Sequence, residues 1–410
     1  MVRDQPVQHQ LKIFSNELNN ELGNIISYWM KNTVDEMYGG FLGRIDNENN
    51  VIPGSPKGSV LNARILWSFS AAYNLTKNHE YLHYAARAYH YINEYFIDKE
   101  QSGVYWSVDY KGNPLDTKKQ VYAVAFTIYG LSEYYRASGD EYAKETAINL
   151  YHTLVKHSYD TINTGYLEAF THDWQPISDL RLSAKDANEK KTMNTHLHVL
   201  EAYTTLYSIW PNEELKTQIV TLISNFLDHF INTDTSHLNL FFDEEWNSRS
   251  GLVSYGHDIE ATWLLQEAAE AINDESLLKK IKSISIYIAD ATMSGLDTDG
   301  GLYYEYDLSN DHLIKEKHWW VQAEAMVGFY NAWQISGDIK YLDLAEKCWN
   351  FVKHKILDKT NGEWFWGINQ FGEVMPGEDK AGMWKCPYHN SRACIEIIKR
   401  IEGYSFRDKP

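Results

Sequence analysis

Cysteine, long apolar runs and positive charge are all scarce in this 410-residue chain. The three cysteines, Cys348, Cys386 and Cys394, are an odd number without Cys-x-x-Cys spacing, which indicates neither a disulfide framework nor a zinc site. No run approaches the roughly 18 apolar residues of a membrane-spanning helix, and the first residues, MVRDQPVQHQ, contain no apolar signal segment. We therefore expect a soluble, cytoplasmic protein of a reducing compartment, without a membrane partner.

The charge balance is acidic, with 38 Lys and Arg against 56 Asp and Glu and a formal net charge of -18. This balance argues against nucleic acid as a partner. A hydrophobic content of 44% is enough for a sizeable core. Aromatic residues are abundant at 14%, including 14 Trp and 29 Tyr. Aromatic rings stack on sugars but also fill cores, and for most of these residues the core role is the favoured interpretation.

Several common catalytic motifs are missing. The chain has no HExxH, and no GxSxG, Walker or GxGxxG motif in a strand–turn–helix setting. The HxH spacing of His196 and His198 would point two potential metal ligands in different directions on a helix. The sequence therefore predicts neither a metal nor a cofactor.

Two markers repeat along the chain. One is a glycine–aromatic turn, and the other is a short polar turn that opens a helix, as in KNHEYL (77–82) and SGDEYA (138–143). One glycine of each such turn recurs about every 62 residues. One interval is double, and SHLNLFFDEEW (236–246) stands in its middle without a glycine. The glycine turns are YGGFLGRID (38–46), SGVYWSVD (102–109), TGYLEAF (164–170), DGGLYYEYD (299–307) and NGEWFWGI (361–368).

Between the markers, apolar residues recur at helical spacing, as in RILWSFSAAYNL (64–75) and IEATWLLQEAAEAI (259–272). Each period is thus helix, turn, helix and a hairpin-like loop. Six such periods predict an all-α fold, either an open solenoid or a closed ring. We favour a closed (α/α)6 barrel with six inner and six outer helices, formed by residues 1–410 as a single domain.

Polar residues stand at the start of the apolar helices. His-x-x-Glu-Ala occurs at His198 and His257, and His-x-x-Arg-Ala at His389, so that each pair lies on one helical face. A lone histidine near a helix start is usually a cap or a core residue. Three at what we interpret as equivalent repeat positions favour a common cup lined by functional side chains. His196, which points elsewhere on its helix, is interpreted as structural.

This residue set suits proton transfer at a carbon next to a carbonyl. Two imidazoles would act as base and acid, and an arginine would stabilise an enediolate oxygen. A glycosidase would instead need two carboxylates flanking the bond to be broken, and Glu201, Glu260 and Glu324 lie deeper in their helices than the histidines. Pro387 and the helix dipole should keep His389 neutral by lowering its pKa.

Five motifs carry a resemblance to a known family: ARILWSFSAAY, KTMNTHLHVLEAY, YGHDIEATWLL, WWVQAEAMVGF and WKCPYHNSR. Over essentially its full length, the chain resembles the N-acylglucosamine 2-epimerase superfamily. Within it, YGHDIEATW and WKCPYHN are most similar to the cellobiose 2-epimerases. The resemblance implies an isomerase that converts the reducing-end glucose of β-1,4-linked disaccharides, such as cellobiose and lactose, to mannose. It implies no cofactor, and we expect a monomer or weak dimer.

The resemblance also implies roles for individual residues. His257 and His389 would be the acid/base pair at C2, and Glu260 would orient an imidazole. The other implied contacts are Arg64 and His198 at the oxygens of C1 and C2, Tyr122 and Asn194 at sugar hydroxyls, Trp320 and Trp384 as stacking walls, and Asp186, from the loop LSAKDANEKK, at the outer sugar.

Three other functions stay open from the sequence. A mannose-type aldose–ketose isomerase or mannose 2-epimerase shares the proton abstraction but differs in where the proton returns or in the sugar. An (α/α)6 glycoside hydrolase or lyase uses the same architecture. A non-catalytic sugar-binding protein would need the aromatic residues but not the histidines.

Overall fold

The computed structural model describes residues 5–407, and the side chains of residues 5–403. None of the helices in this range has the length and apolarity needed to cross a membrane. The α-helices in this range are α1 Gln5–Asn32, α2 Ser59–Thr76, α3 His79–Tyr91, α4 Val121–Ser138, α5 Glu141–His157, α6 Met193–Ile209, α7 Glu213–Asn225, α8 Tyr255–Ala271, α9 Glu275–Thr292, α10 Trp319–Ser336, α11 Ile339–Phe351 and α12 Tyr388–Arg407.

The even-numbered helices form a closed inner ring. Each packs against the next, from α2 to α12, and α12 packs against α2. The odd-numbered helices lie outside, each from α3 to α11 against the inner helix that precedes it, and α1 packs against α12. The predicted (α/α)6 barrel is confirmed, and the open solenoid is excluded by the contact between α12 and α2. That residues 1–410 form a single domain stays a prediction.

Burial patterns explain which helices are inside. The inner helix α4 is buried at every position from 121 to 134, because it contacts neighbours on all sides. The outer helix α5 is buried only along a stripe of about one residue in three, which is typical of a helix with one solvent-facing side. The two patterns therefore separate inner from outer helices.

The polar turns open the outer helices as predicted. Each supplies a side chain that accepts a hydrogen bond from a backbone N–H in the first turn of the helix, which satisfies an otherwise unpaired donor. These capping residues are Asn78 for α3, Asp140 for α5, Asn212 for α7, Asp274 for α9 and Asp338 for α11.

The glycine–aromatic turns form hairpin-like loops that lead into the inner helices. An antiparallel bridge closes each one: Val34–Phe41, Ile97–Val104, Tyr159–Tyr166, Ile231–Leu238, Leu296–Leu302 and Leu357–Trp364. Gly40 has a φ of 62°, and a Cβ there would lie 2.5 Å from Cγ of Tyr91, so both conformation and space require glycine.

Short antiparallel strands connect these loops. The strands are β1 Lys57–Gly58, β2 Ser107–Val108, β3 Pro114–Asp116, β4 Lys119–Gln120, β5 Ala169–Phe170, β6 Lys191–Thr192, β7 Phe241–Phe242, β8 Leu252–Ser254, β9 Glu305–Asp307, β10 His312–Ile314, β11 Lys317–His318 and β12 Gly367–Ile368. They pair as β1–β2–β3, β8–β9–β10, β4–β5, β6–β7 and β11–β12. Loops, strands and the N-terminal ends of the inner helices therefore share one end of the barrel.

Buried ion pairs tie most hairpins to the inner helices. The aspartate that opens the hairpin pairs with a buried lysine that lies shortly before an inner helix. The pairs are Asp35–Lys57, Asp98–Lys119, Asp160–Lys191, Asp297–Lys317 and Asp358–Lys380. In the hairpin before α8, the corresponding residues are Asn232 and Val253, and neither carries a charge.

Candidate active site

A cavity of about 470 Å³ opens at the hairpin end of the barrel. Every inner helix contributes to its lining, because their N-terminal turns converge there. All residues that the sequence predicted for the site line this cavity: Arg64, Tyr122, Asp186, Asn194, His198, His257, Glu260, Trp320, Trp384 and His389. The structure thus brings the predicted residues together.

The three histidines are not at equivalent positions. His257 is the third residue of α8 and His389 the second of α12, but His198 is the sixth residue of α6. The expectation of three equivalent histidines is therefore wrong. His198 lies one turn deeper, on the level of Arg64, Phe126, Glu260 and Glu324, which are the sixth residues of α2, α4, α8 and α10.

His257 and His389, which lie nearer the helix N-termini and are called the upper histidines, each have Nδ1 in contact with a protein group. Nδ1 of His257 lies 2.8 Å from Oγ of Ser254, and Nδ1 of His389 lies 2.7 Å from Oε1 of Glu324. These contacts leave Nε2 of each ring for a bound molecule. The sequence expected Glu260 to orient an imidazole, but Ser254 holds this place at His257, and neither Ser254 nor Glu324 was among the predicted site residues.

Trp320 is next to both of these imidazoles. Its ring centroid lies 4.7 Å from that of His257 and 5.7 Å from that of His389. The indole therefore fixes both rings from the side by packing. The predicted role of Trp320 as a cavity wall agrees with this position.

A buried charge cluster forms the floor of the site. Arg392 donates hydrogen bonds to Glu201, Glu260 and Glu324, which come from three different helices. Glu201 also lies 2.9 Å, through Oε2, from Nδ1 of His198. Glu260 is thus paired with Arg392 rather than with His257.

The same cluster separates the carboxyl pKa values. Burial alone would raise the pKa of Glu201, but the Arg392 charge and the His198 hydrogen bond lower it to about 2. Burial and the neighbouring Glu324 raise the pKa of Glu260 to about 7. Burial also raises the pKa of Glu324. One carboxylate is therefore firmly ionised, while the other two hold protons more readily than usual.

Burial keeps both upper imidazoles neutral. It lowers the pKa of His257 to about 3, with smaller electrostatic contributions from His198 and Arg64. It lowers the pKa of His389 well below its usual value, with Arg64 and Arg392 adding to the effect. Burial and these guanidinium charges therefore favour the neutral state expected for His389.

Arg64 carries a free donor into the site. Its Nη2 donates to the Tyr122 hydroxyl at 2.7 Å, and its guanidinium carbon lies 4.2 Å from the ring centroid of Phe126. Nε of Arg64 and Oδ1 of Asn194 are buried and have no hydrogen-bond partner within the described residues. Such groups are suited to sugar hydroxyls, because a buried polar group without a partner is costly.

Aromatic side chains line the cavity and pack beside it. Trp384 lies 5.8 Å from Trp106 and 6.0 Å from Tyr122, measured between ring centroids. Trp319 and Trp366 lie 4.5 Å apart, and each has a buried indole N–H without a partner among residues 5–403. Stacking faces beside unused donors are typical of a carbohydrate site.

The loop of residues 178–190 covers one side of the cavity. Asp186 lines the cavity, but its Oδ2 accepts hydrogen bonds from the backbone N–H and the hydroxyl of Ser183. Its carboxylate therefore also stabilises its own loop. Three lining residues that sequence reasoning missed, Tyr304, Glu305 and Trp366, come from the hairpins, where no helical periodicity marks them.

The structure offers two tests of metal binding. Ligand atoms of Glu260, Glu324 and His389 lie within 4.8 Å of one another, but the Arg392 guanidinium already donates to both carboxylates and balances their charge. His196 has Nδ1 2.7 Å from the Thr192 carbonyl, and its Nε2 accepts from the Tyr166 N–H. The structural role predicted for His196 is thus confirmed, while the absence of a metal stays a prediction.

Comparison with known proteins identifies the family. The family model of N-acylglucosamine 2-epimerase matches residues 40–393. A cellobiose 2-epimerase of Bacteroides fragilis is 49% identical over 388 residues, which cover 94% of this chain and 99% of that protein.

The chain belongs to the N-acylglucosamine 2-epimerase family.

Solved structures agree with this assignment. The structure of cellobiose 2-epimerase from Bacillus thermoamylovorans superposes with a TM-score of 0.90 at 40% identity, covering 95% of this chain and 100% of that one. A D-mannose isomerase structure reaches a TM-score of 0.80 at 21% identity over 94% of this chain and 97% of that one, which shows a shared fold. This N-acylglucosamine 2-epimerase family member is therefore an enzyme of the isomerase class, a carbohydrate 2-epimerase with a small sugar as substrate. The predicted resemblance is confirmed.

Proposed function

We propose that this enzyme converts the reducing-end glucose of β-1,4-linked disaccharides, such as cellobiose and lactose, into mannose. The observation that carries the proposal is the pair of buried imidazoles, His257 and His389, which both contact Trp320 and both have Nε2 free. Relatives that are named cellobiose 2-epimerases support the choice of substrate. The cavity of about 470 Å³ lies within the usual range of about 300–1,000 Å³ for small-molecule sites.

The reaction begins with ring opening. The sugar loses the O1 proton and gains one at O5, which leaves an aldehyde at C1. One neutral imidazole then removes the C2 proton with its Nε2. The electron pair of the C2–H bond forms a C1–C2 double bond, and the carbonyl oxygen takes the negative charge. Arg64 and His198 stabilise this enediolate, because a positive charge and hydrogen-bond donors beside a developing oxyanion lower its energy.

Epimerisation requires the proton to return to the opposite face of C2. Rotation about the C2–C3 bond presents that face to the second imidazole, which enters the step with a proton on Nε2 and delivers it as the C1 carbonyl re-forms. Glu324 can hold this proton together with His389, since burial raises the pKa of the carboxyl group. After release of the epimer, a proton passes between the rings through solvent, and all these steps use side chains of this chain alone.

The other predicted residues are assigned to binding. Tyr122 and Asn194 contact sugar hydroxyls, and Trp320 and Trp384 stack against sugar rings. Asp186 reaches the outer sugar from its loop. Glu260 acts through Arg392, whose guanidinium balances the charges of Glu260 and the neighbouring carboxylates.

The test is incubation of cellobiose with the enzyme in D2O, followed by NMR. We expect the glucosyl-mannose epimer with deuterium at C2 and an intact bond between the sugars. Lactose should react in the same way. Methyl β-cellobioside should remain unchanged, because its locked C1 cannot become an aldehyde and its C2 proton is therefore not acidic.

Each rival function gives a different product. Release of glucose at a rate comparable to epimer formation would indicate a hydrolase, and a ketose as the main product would indicate an aldose–ketose isomerase. Binding without any deuterium incorporation would indicate a sugar-binding protein. Any of these three results contradicts the proposal.

A further inference from the structure

The six hairpins differ at one equivalent residue, which we call the lead position. It is the residue whose carbonyl accepts the N–H of the Asp or Asn that opens the turn. The residues at this position are Gly40, Gly103, Gly165, His237, Gly301 and Glu363. His237 and Glu363 therefore place side chains where the other four hairpins have none.

The two exceptional side chains make similar contacts. Nδ1 of His237 lies 2.7 Å from Oδ2 of Asp258, and the N–H of Leu238 donates to Oδ1 of Asp258 at 2.8 Å. Oε1 of Glu363 accepts a hydrogen bond from Nδ2 of Asn390 at 2.6 Å. Asp258 and Asn390 are both fully buried, whereas the His237 ring is partly exposed.

Asp258 directly follows His257, and Asn390 directly follows His389. Thus, among the six hairpins of the described residues, the two with a side chain at the lead position hold the neighbours of the two imidazoles. In α6 and α10 the corresponding ties use hairpin backbone: His196 accepts from the Tyr166 N–H, and Gln322 bonds the backbone of Leu302.

The hairpin before α8 has a second peculiarity. Its Asn232 and Val253 replace the buried Asp–Lys pair that ties the other hairpins to their helices. In this hairpin, the contact of His237 with Asp258 makes the connection instead, and it reaches the first turn of α8 directly. The first turn of a helix lacks intrahelical partners for its N–H groups and is held least firmly by its own backbone. An external contact therefore has a large effect there.

We propose that His237 and Glu363 are positioning residues, which hold the first turns of α8 and α12 and so aim Nε2 of His257 and His389 at C2 of the sugar. The inference rests on the proposed function. It needs no contact between either hairpin residue and the substrate. A displacement of about 1 Å at a reacting group can cost on the order of 10²-fold in rate, so a loss of either contact should be measurable.

The experiment removes each contact in turn and, for His237, adds a variant that keeps the contact. His237→Ala removes the ring, whereas His237→Asn places an amide nitrogen where Nδ1 was. Asn390→Ala removes the donor to Glu363 and leaves the buried ion pair between Glu363 and Lys385 intact. The measured quantities are kcat, KM and the rate of C2–H exchange in D2O, started separately from cellobiose and from its glucosyl-mannose epimer.

Exchange started from one epimer requires only the imidazole on that face. We expect His237→Ala to slow exchange from one epimer by about tenfold or more, the same epimer that His257→Ala affects most. Asn390→Ala should slow exchange from the other epimer, as His389→Ala does. KM should change by less than about twofold, and His237→Asn should stay close to wild type.

A purely structural role would lower the melting temperature and leave the ratio of the two exchange rates unchanged, which would overturn the inference. Asp274→Ala, which removes the cap of α9 behind α8, is the control for general destabilisation and should not change this ratio. If His237→Ala does not fold, Asp258→Asn must show the same asymmetry. Absence of exchange in the wild type, or normal activity of His257→Ala, would instead refute the proposed function.

Discussion

Nδ1 of His389 lies 2.7 Å from Oε1 of Glu324, although the two residues belong to different inner helices, α12 and α10. Glu324 is also a partner of Arg392. The imidazole is thus connected to the buried charge cluster on the floor of the cavity. This connection makes Glu324 a test of how the cluster affects proton transfer.

Glu324→Gln should lower kcat by about tenfold or more. It replaces the carboxylate that contacts His389 with an amide, and acid–base catalysis by a group such as His389 contributes on the order of 10²–10⁴-fold to the rate. KM should change little, since Glu324 is proposed to act through His389. The measurement is steady-state epimerisation of cellobiose. Glu267→Gln, near the other end of α8 and outside the cavity, is the matched control and should behave as wild type. An equal effect of both changes would contradict the role of Glu324.

His257→Ala and His389→Ala should each reduce kcat on the order of 10²–10⁴-fold. Each ring lines the cavity, so the change should leave the fold intact. Circular dichroism and the melting temperature check the fold, and NMR of the sugar measures the rate. Near-normal epimerisation by both variants would show that the proton-transfer groups lie elsewhere.

His196 should make stability depend on pH. Burial lowers its pKa to about 3 in the folded protein, against 6.5 ordinarily, and its Nε2 already accepts the Tyr166 N–H. Below about pH 6.5, His196 therefore binds a proton in the unfolded chain but not in the folded protein. The free energy of unfolding decreases as the pH falls toward 3. At pH 5 this loss amounts to about 2 kcal/mol of unfolding free energy relative to pH 7.5.

Denaturant unfolding at pH 7.5 and pH 5 checks this value. His196→Gln keeps an acceptor near Tyr166 and has no group that titrates in this range, which makes it the reference. The difference in unfolding free energy between wild type and His196→Gln should shrink by about 2 kcal/mol at the lower pH. A difference that stays constant would mean that His196 does not titrate as its burial requires.

Activity should survive exhaustive treatment with EDTA. The Arg392 guanidinium occupies the space between Glu260 and Glu324, so a divalent cation there would meet an uncompensated positive charge. The measurement is the epimerisation rate before and after chelation. Loss of activity with recovery on adding zinc or manganese would point to Glu260, Glu324 and His389 as ligands.

Local features of the sequence were sufficient to predict the architecture. The caps Asn78 and Asp140 and the hairpin glycines Gly103 and Gly165 each act within a few residues, through backbone hydrogen bonds and a positive φ. Their roughly constant spacing then predicts equal repeat units, and the number of units predicts the barrel.

Contacts between repeats could not be predicted in the same way. Periodicity indicates which face of α10 is buried, but the pairing of Glu324 with His389 depends on how far the two helices rotate and slide within the closed ring. The alignment of His198 with His257 failed for a related reason: the motif His-x-x-Glu recurs, yet it starts one turn later in α6 than in α8. Ser254 is the last residue of the short strand β8, so it lies outside the helical periodicity that marked the other site residues.

The contact of α12 with both α1 and α2 makes the barrel a circle in which the earliest and latest helices of the chain are neighbours. During synthesis, five inner helices can leave the ribosome while His389, Arg392 and the closing contact are still missing. Until then, the Arg392 partners Glu201, Glu260 and Glu324 are three carboxylates facing an open gap without their counter-charge. Catalytic competence and ring closure should therefore arise in a single late step, and a nascent chain without α12 should neither bind sugar nor resist proteolysis.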